Sequence, residues 1–167
     1  MTTVLQWRPT NAPAASSRTD DIWFINPATG WAVNNNGQIL KTTDGGETWH
    51  EQHRSNFYLR CVGFANELRG WVGTLNLSER LYETHDGGNT WTTVQNLPAV
   101  SPSAICGLSV VNESVIYASG TNYPHRPARM MKSVDGGASW TGWEMDEFAD
   151  LLVDTFFTTP ERGWVVG

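Results

Sequence analysis

KTTDGGETWH (Lys41–His50) sets two chemistries against each other. Oxygen-bearing side chains around a Gly-Gly pair can hold a cation, and a carboxylate beside hydroxyls can do catalysis. The same residues can also close a tight turn, with Trp49 filling a core. Two echoes decide between these readings. Thr42-Thr43-Asp44-Gly45-Gly46-Glu47-Thr48-Trp49 returns as Thr84-His85-Asp86-Gly87-Gly88-Asn89-Thr90-Trp91, and again as Ser133-Val134-Asp135-Gly136-Gly137-Ala138-Ser139-Trp140. A motif that recurs at fixed period marks a structural repeat before it marks a reaction centre.

A second element repeats out of phase with the first. FINPATGW (24–31), FANELRGW (64–71), VVNESVIY (110–117) and FTTPERGW (157–164) each place a turn cluster between two apolar runs, which is hairpin patterning. A third run follows each of the first three: QILKT, RLYET and RMMKS. Then come the Asp-Gly-Gly turn and a fourth run that begins on Trp. One unit is therefore four short antiparallel strands, A to D, in roughly 40–50 residues, the length of a β-propeller blade. No segment sustains helical periodicity. Asp146–Asp154 is the best helix candidate, and its acidic loop composition speaks against it.

The expected fold is all-β, with about 3.5 propeller blades and Asp-bearing C–D turns. Residues 1–10 are expected to form a closing D strand around Trp7. Blade 1 is expected over 18–53, blade 2 over 54–98, blade 3 over 99–145, and the first two strands of blade 4 over 146–167. Too few blades to close a ring leave an edge uncovered. Either the chain is a piece of a longer propeller, or two copies close one ring as a homodimer.

Totals narrow the function classes. The 167 residues are 40% hydrophobic and 17% charged, which suits one domain with a buried core. Nine Trp fit a large ring recurring at one structural position. A formal charge of −6 argues against a general nucleic-acid binder. Cys61 and Cys106 show no metal-ligand spacing and read as buried thiols. The opening MTTVLQWRPTNAPAASS lacks a basic segment followed by an apolar run, so no signal peptide is visible. That suits a cytoplasmic protein by default, or an extracytoplasmic one if a leader is missing. No stretch is apolar enough to span a membrane as a helix.

The three [S/T]-x-D-G-G-x-[S/T]-W turns resemble the Asp-box, or BNR, repeat. GWAVNNNGQILKTTDGGETW (30–49) resembles more narrowly the photosystem II stability/assembly factor type of Asp-box propeller. Asn34 departs from the Gly usual there. Unit three departs with Tyr117 for Trp and with the inserted TNYPHRPAR (121–129). The resemblance implies a seven-bladed, non-enzymatic propeller that binds other proteins, whose photosynthetic members assist photosystem II assembly. Fold carries over better than role.

Each Asp box reads as structure. Asp-Gly-Gly supplies the left-handed positions of a tight hairpin loop, and Asp and Ser/Thr side chains accept backbone N–H groups nearby. The residues expected to build the three turns are Thr42, Asp44, Gly46, Thr48 and Trp49; Thr84, Asp86, Gly88, Thr90 and Trp91; and Ser133, Asp135, Gly137, Ser139 and Trp140. One carboxylate per turn is too few for calcium. Neither a metal nor a cofactor is expected.

The opposite face carries the B–C turns and the D–A connections, and it collects arginines. Arg54, Arg60, Arg80, Tyr123, His125, Arg126 and Arg129 are the candidate partner-binding residues, with Arg18 beside them. They suit a protein partner with an acidic segment, since guanidinium groups pair carboxylates in forked geometry. Asp20, Asp21, Glu51, Glu79, Asp146, Glu147 and Asp150 lie on the same side and can neutralise them.

A glycosidase of the sialidase or xyloglucanase kind is the alternative. Sialidases pair a nucleophilic Tyr with a Glu. Tyr82 and Glu83 alternate along one strand and point apart. Propeller glucanases use two Asp from different blades, a place that Asp21 and Asp154 could take. Strict alternation also points His50 and His53 to opposite faces. No catalytic residue is assigned.

Overall fold

The computed structural model describes residues 7–15, 18–121 and 127–167. Among them lie fourteen strands and no helix, arranged as successive antiparallel blades. Blade 1 is β1 (Thr19–Phe24), β2 (Gly30–Asn34), β3 (Gln38–Thr42) and β4 (His50–Arg54). Blade 2 is β5 (Leu59–Phe64), β6 (Gly70–Thr74), β7 (Leu81–Thr84) and β8 (Thr92–Thr93). Blade 3 is β9 (Gly107–Val110), β10 (Ile116–Gly120), β11 (Arg129–Ser133) and β12 (Thr141–Glu144). β13 (Asp154–Thr159) and β14 (Arg162–Val166) form the inner hairpin of blade 4. Strand order follows chain order in every sheet, which is how a blade forms from local hairpins.

The turns explain why these strands form. The A–B turns of blades 1 to 3 are each organised by an Asn whose side-chain oxygen accepts two backbone N–H groups: Asn26 from Ala28 and Thr29, Asn66 from Leu68 and Arg69, Asn112 from Ser114 and Val115. The Asp-box turn then docks on the A–B turn of its own blade. Gly45 N–H donates to Ala28 O, Gly87 N–H to Leu68 O, and Gly136 N–H to Ser114 O.

The core lies between blades. Trp31, Val33 and Ile39 of blade 1 meet Leu59, Val62, Phe64 and Val72 of blade 2. Trp71 and Leu81 of blade 2 meet Leu108, Val110 and Ile116 of blade 3. Each large side chain so buried stabilises by about 1.5–3 kcal/mol.

The expected closing D strand over residues 1–10 lies mostly outside the described residues. Residues 7–15 form no strand, and Trp7 is 97% exposed; residues 1–6 lie outside the described residues. A D strand needs a C strand to pair with, and the described residues offer no unpaired one. The segment instead lies along blade 1, where Arg8 pairs with Glu47 and the Asn11 side chain accepts the Trp49 N–H. The Asp146–Asp154 stretch makes no helix, in keeping with its acidic loop composition. Phe148 and Ala149 N–H donate to Met145 O in a single turn, and the chain then enters β13. No helix among the described residues is long and apolar enough to cross a membrane.

Candidate functional site

The three Asp boxes repeat one hydrogen-bond net. Asp44 Oδ1 accepts from Thr42 Oγ1 at 2.8 Å and Thr48 N at 2.9 Å, while Oδ2 accepts from Thr48 Oγ1 at 2.5 Å. Thr42 Oγ1 accepts the Gly46 N–H, and Trp49 Nε1 donates to Gly46 O. Asp86 with Thr84, Gly88, Thr90 and Trp91, and Asp135 with Ser133, Gly137, Ser139 and Trp140, do the same. The second glycines adopt φ of 87–91°, the left-handed region that a side chain resists. These donors, the Thr or Ser hydroxyl first, pull each carboxyl down to about 2. Every oxygen of these carboxylates is committed to holding the turn.

The opposite face gathers the B–C turns and D–A connections. Asp20 is a buried acid of this face, with a side chain 1% exposed. Its Oδ1 accepts from Tyr58 Oη at 2.8 Å and pairs with Arg18 Nε at 2.9 Å and Arg60 Nη1 at 3.3 Å. Arg18 also donates to the Tyr58 hydroxyl. One buried carboxylate thus balances two of the guanidinium groups. Arg54 makes a two-armed pair with Glu51 at 2.9 and 2.6 Å.

Between blades 2 and 3 the balance differs. Arg129, at the start of β11, makes a two-armed pair with Glu144 at 2.9 Å for each arm. Arg80, ahead of β7, has no carboxylate partner among the described residues. Its Nη1 donates to Ser101 Oγ at 2.7 Å and Pro102 O at 3.1 Å. Burial, then the nearby Arg129 charge, pulls the Arg80 guanidinium down. Leu77, Arg80, Ser101, Ser103 and Arg129 line an open cavity of about 320 Å³. Of the sequence candidates, this site brings Arg80 and Arg129 together. Arg60 and Arg54 lie in blades 2 and 1 with their own acids, and Tyr123, His125 and Arg126 lie outside the described residues.

Glu144 was not among the expected neutralising acids, yet its place is countable. Pairing outward from the Ser133–Trp140 turn puts Lys132 against Thr141 and Arg129 against Glu144. Tyr82 does pair with a glutamate, but with Glu79 in the preceding turn rather than Glu83. Burial and then Glu79 push its phenol up to about 12, so it stays protonated. The two histidines also need correcting. A bulge at Gln52 breaks the alternation in β4, so His50 and His53 face the same side, toward blade 2. Among the described residues no group of three His, Cys, Asp or Glu could hold a metal ion.

Near the axis, Asp20, Asp21, Arg60, Cys61, Cys106, Val153 and Asp154 surround a cavity of about 90 Å³. Asp21 accepts from Ile22 N and Val62 N at 2.8 and 2.9 Å. Burial pushes its carboxyl up, those N–H groups pull it back, and Asp154 adds a further push. Burial also raises both thiols, Cys61 well above the usual range, which makes them poor nucleophiles.

Comparison with known proteins follows the same lines. The family model for photosynthesis system II assembly factor YCF48 matches residues 1–126. The photosystem II assembly lipoprotein Ycf48 of Synechococcus sp. (strain CC9902) is 30% identical over 129 residues, which is 72% of this chain and 35% of the relative. A solved structure of YCF48 bound to D1 peptide superposes with a TM-score of 0.63 at 22% identity, over 83% of this chain and 45% of that one. An ancestral GH74 enzyme superposes with a TM-score of 0.71 at 18% identity, over 98% of this chain and 23% of that one. At such identities both structures speak for the fold alone. The chain spans about a third of the length of the curated relative it matches.

Proposed function

The chain belongs to the photosynthesis system II assembly factor YCF48 family, and from that premise we propose that it is a non-catalytic propeller module that binds a carboxylate-bearing peptide segment of another protein through the face opposite its Asp boxes. The observation that carries this reading is Arg80. It is a half-buried guanidinium with only neutral oxygens as partners, beside Arg129 on the wall of an open cavity. A cation held without a counter-charge stays ready for a carboxylate, and a forked partner is its best match. The relative solved with a D1 peptide supports a peptide as the class of ligand.

Fluorescence anisotropy with a labelled acidic peptide tests the site. Arg80→Ala is expected to weaken binding about tenfold, the loss of one charge-assisted contact. Unchanged binding in Arg80→Ala and Arg129→Ala would remove the face assignment.

A glycosidase is the second reading, favoured by Asp21 and Asp154 in different blades on one cavity. Both Asp21 oxygens are already occupied by backbone donors. The cavity is also well below the ~300 Å³ at which ligand pockets begin. Turnover of a chromogenic glycoside that disappears in Asp21→Asn would reverse this preference.

A further inference from the structure

The joint between blades 1 and 2 seats a carboxamide. Trp31 Nε1 donates to Gln52 Oε1 at 3.1 Å, and Gln52 Nε2 donates to Gly87 O at 3.2 Å. Lys41 Nζ lies over the Trp31 ring and donates to the same Gly87 O. The joint between blades 3 and 4 reaches the same end differently. Tyr117 stands in the place of Trp31, and its hydroxyl donates to Pro160 O at 2.7 Å, beside Lys132 Nζ. In both joints the polar atom of the buried ring has an acceptor.

The middle joint, between blades 2 and 3, differs. Trp71 takes the place of Trp31 and is fully buried. Its Nε1 is buried with no hydrogen-bond partner among the described residues, and so is Arg69 Nε. Such donors are rare and costly. The sequence supplies the reason. Counted from the Asp-box Trp, Val94 stands where Gln52 stands in blade 1, and Glu83 stands where Lys41 does. Arg69 covers the Trp71 ring in the lysine's stead. The surrounding geometry is kept. A Cβ on Gly88 would lie 2.5 Å from Gln52 Oε1 and 3.4 Å from Trp31 Nε1, and a Cβ on Gly137 would lie 3.0 Å from Trp71 Nε1. Val94, Gly137 and Arg69 frame the place that the carboxamide has in the first joint. With Glu83, His85 and Asn96 they line an open cavity of about 270 Å³.

We propose that this cavity binds a primary carboxamide. The ligand's oxygen accepts from Trp71 Nε1 and Arg69 Nε, and its amide nitrogen donates to Gly136 O, as Gln52 Nε2 donates to Gly87 O. The Arg69 stem is the flexible part of the wall and shifts to admit it. A carboxylate suits the cavity less well. Glu83 on the wall repels it, and it brings no N–H for Gly136 O. A glutamine or asparagine side chain of another protein and a free small amide present the same group. The cavity lies on the Asp-box side, so the proposal is independent of the Arg80 site.

The Trp71 indole N–H resonance in a nitrogen–proton correlation spectrum is the test, identified by its loss in Trp71→Phe. Propionamide is expected to move it downfield and to saturate, with propionate binding at least about tenfold more weakly. Acetyl-Ala-Gln-Ala methylamide, set against its Ala-Glu-Ala counterpart, separates the two sources. Tighter binding of the glutamine peptide than of propionamide assigns the seat to a protein side chain, and the reverse assigns it to a free amide. Val94→Gln supplies the carboxamide from within. Its Trp71 resonance is expected downfield from the start and indifferent to propionamide. Gln52→Val, the reverse exchange, is expected to make the Trp31 resonance respond. A Trp71 resonance that neither propionamide nor the glutamine peptide moves in the unaltered protein overturns the proposal. So does equal binding of propionate, or a Val94→Gln protein whose resonance still answers propionamide.

Discussion

Trp31 of blade 1 lies face to face on Phe64 of blade 2, with ring planes 10° apart and neither ring exposed to solvent. Trp91 meets the same Phe64 edge-on, at 5.9 Å and 90°. The joint between these two blades thus has an aromatic stack at its centre, flanked by the Val62–Asp21 and Lys41–Gly87 hydrogen bonds. Phe64→Ala is expected to cost about 3–5 kcal/mol, transfer plus cavity. Leu68→Ala, at a residue 60% exposed on the same blade's A–B turn, is expected to stay within about 0.5 kcal/mol. Urea midpoints for the two variants check this. Equal small losses would mean that the blades do not fold as a cooperative unit.

What could be read in the sequence was what is local. Asp44, its hydroxyl partners and both glycines fall within eight residues, so the turn and the blade period were visible together. The A–B turns were visible for the same reason, although the repeated Asn26, Asn66 and Asn112 gave the more exact signal. What stayed hidden depends on a partner strand or on one irregular residue. A single bulge at Gln52 reorients His53. Glu79 reaches Tyr82 only because the B–C turn folds back toward β7. At the candidate site, composition placed Arg80 and Arg129 on one face but could not say which arginine had an acid of its own.

The Asp boxes make a pH prediction. Asp44, Asp86 and Asp135 are held at about 2 against an ordinary 3.8, chiefly by hydroxyl donors. A carboxyl depressed in the folded state takes up its proton more readily on unfolding. Its stabilisation is therefore complete above 3.8 and is lost as pH falls from 3.8 toward 2. The melting temperature is expected to drop through that window. Asp86→Asn is expected to melt lower at neutral pH and to show a shallower acid drop. An acid drop as steep as that of the unaltered protein would detach the carboxylate from the turn's stability.

Tyr82 makes the opposite kind of prediction. Its hydroxyl donates to Glu79 Oε2 at 2.6 Å and sits 3.2 Å from Ser55 Oγ. With the phenol raised from 10 to about 12, its contribution is intact below 10 and fades as pH rises through about 12. Ultraviolet titration of the four tyrosines is expected to end on a late step that Tyr82→Phe deletes. A Tyr82 that ionises below 10 would instead be competent as a phenolate, and the glycosidase reading would gain ground.

The carboxylate of Glu144 competes for the site proposed to hold the partner. It occupies both arms of Arg129, and that pairing holds the Glu144 carboxyl low while raising the guanidinium. Arg80 keeps its charge uncompensated, at the cost of burial and of repulsion from Arg129. An incoming carboxylate must therefore win Arg129 from Glu144 but meets no rival at Arg80. Glu144→Gln removes the competitor without emptying its space. An exposed ion pair is worth at most about 1 kcal/mol, so acidic-peptide binding is expected to tighten by about two- to fivefold. The gain should shrink as salt shortens the screening length. Anisotropy titrations at low and high salt measure both effects. Affinity that is unchanged in Glu144→Gln but lost in Arg80→Ala would confine recognition to Arg80. Weaker binding would mean that Arg129 serves the site only while Glu144 holds its guanidinium in place.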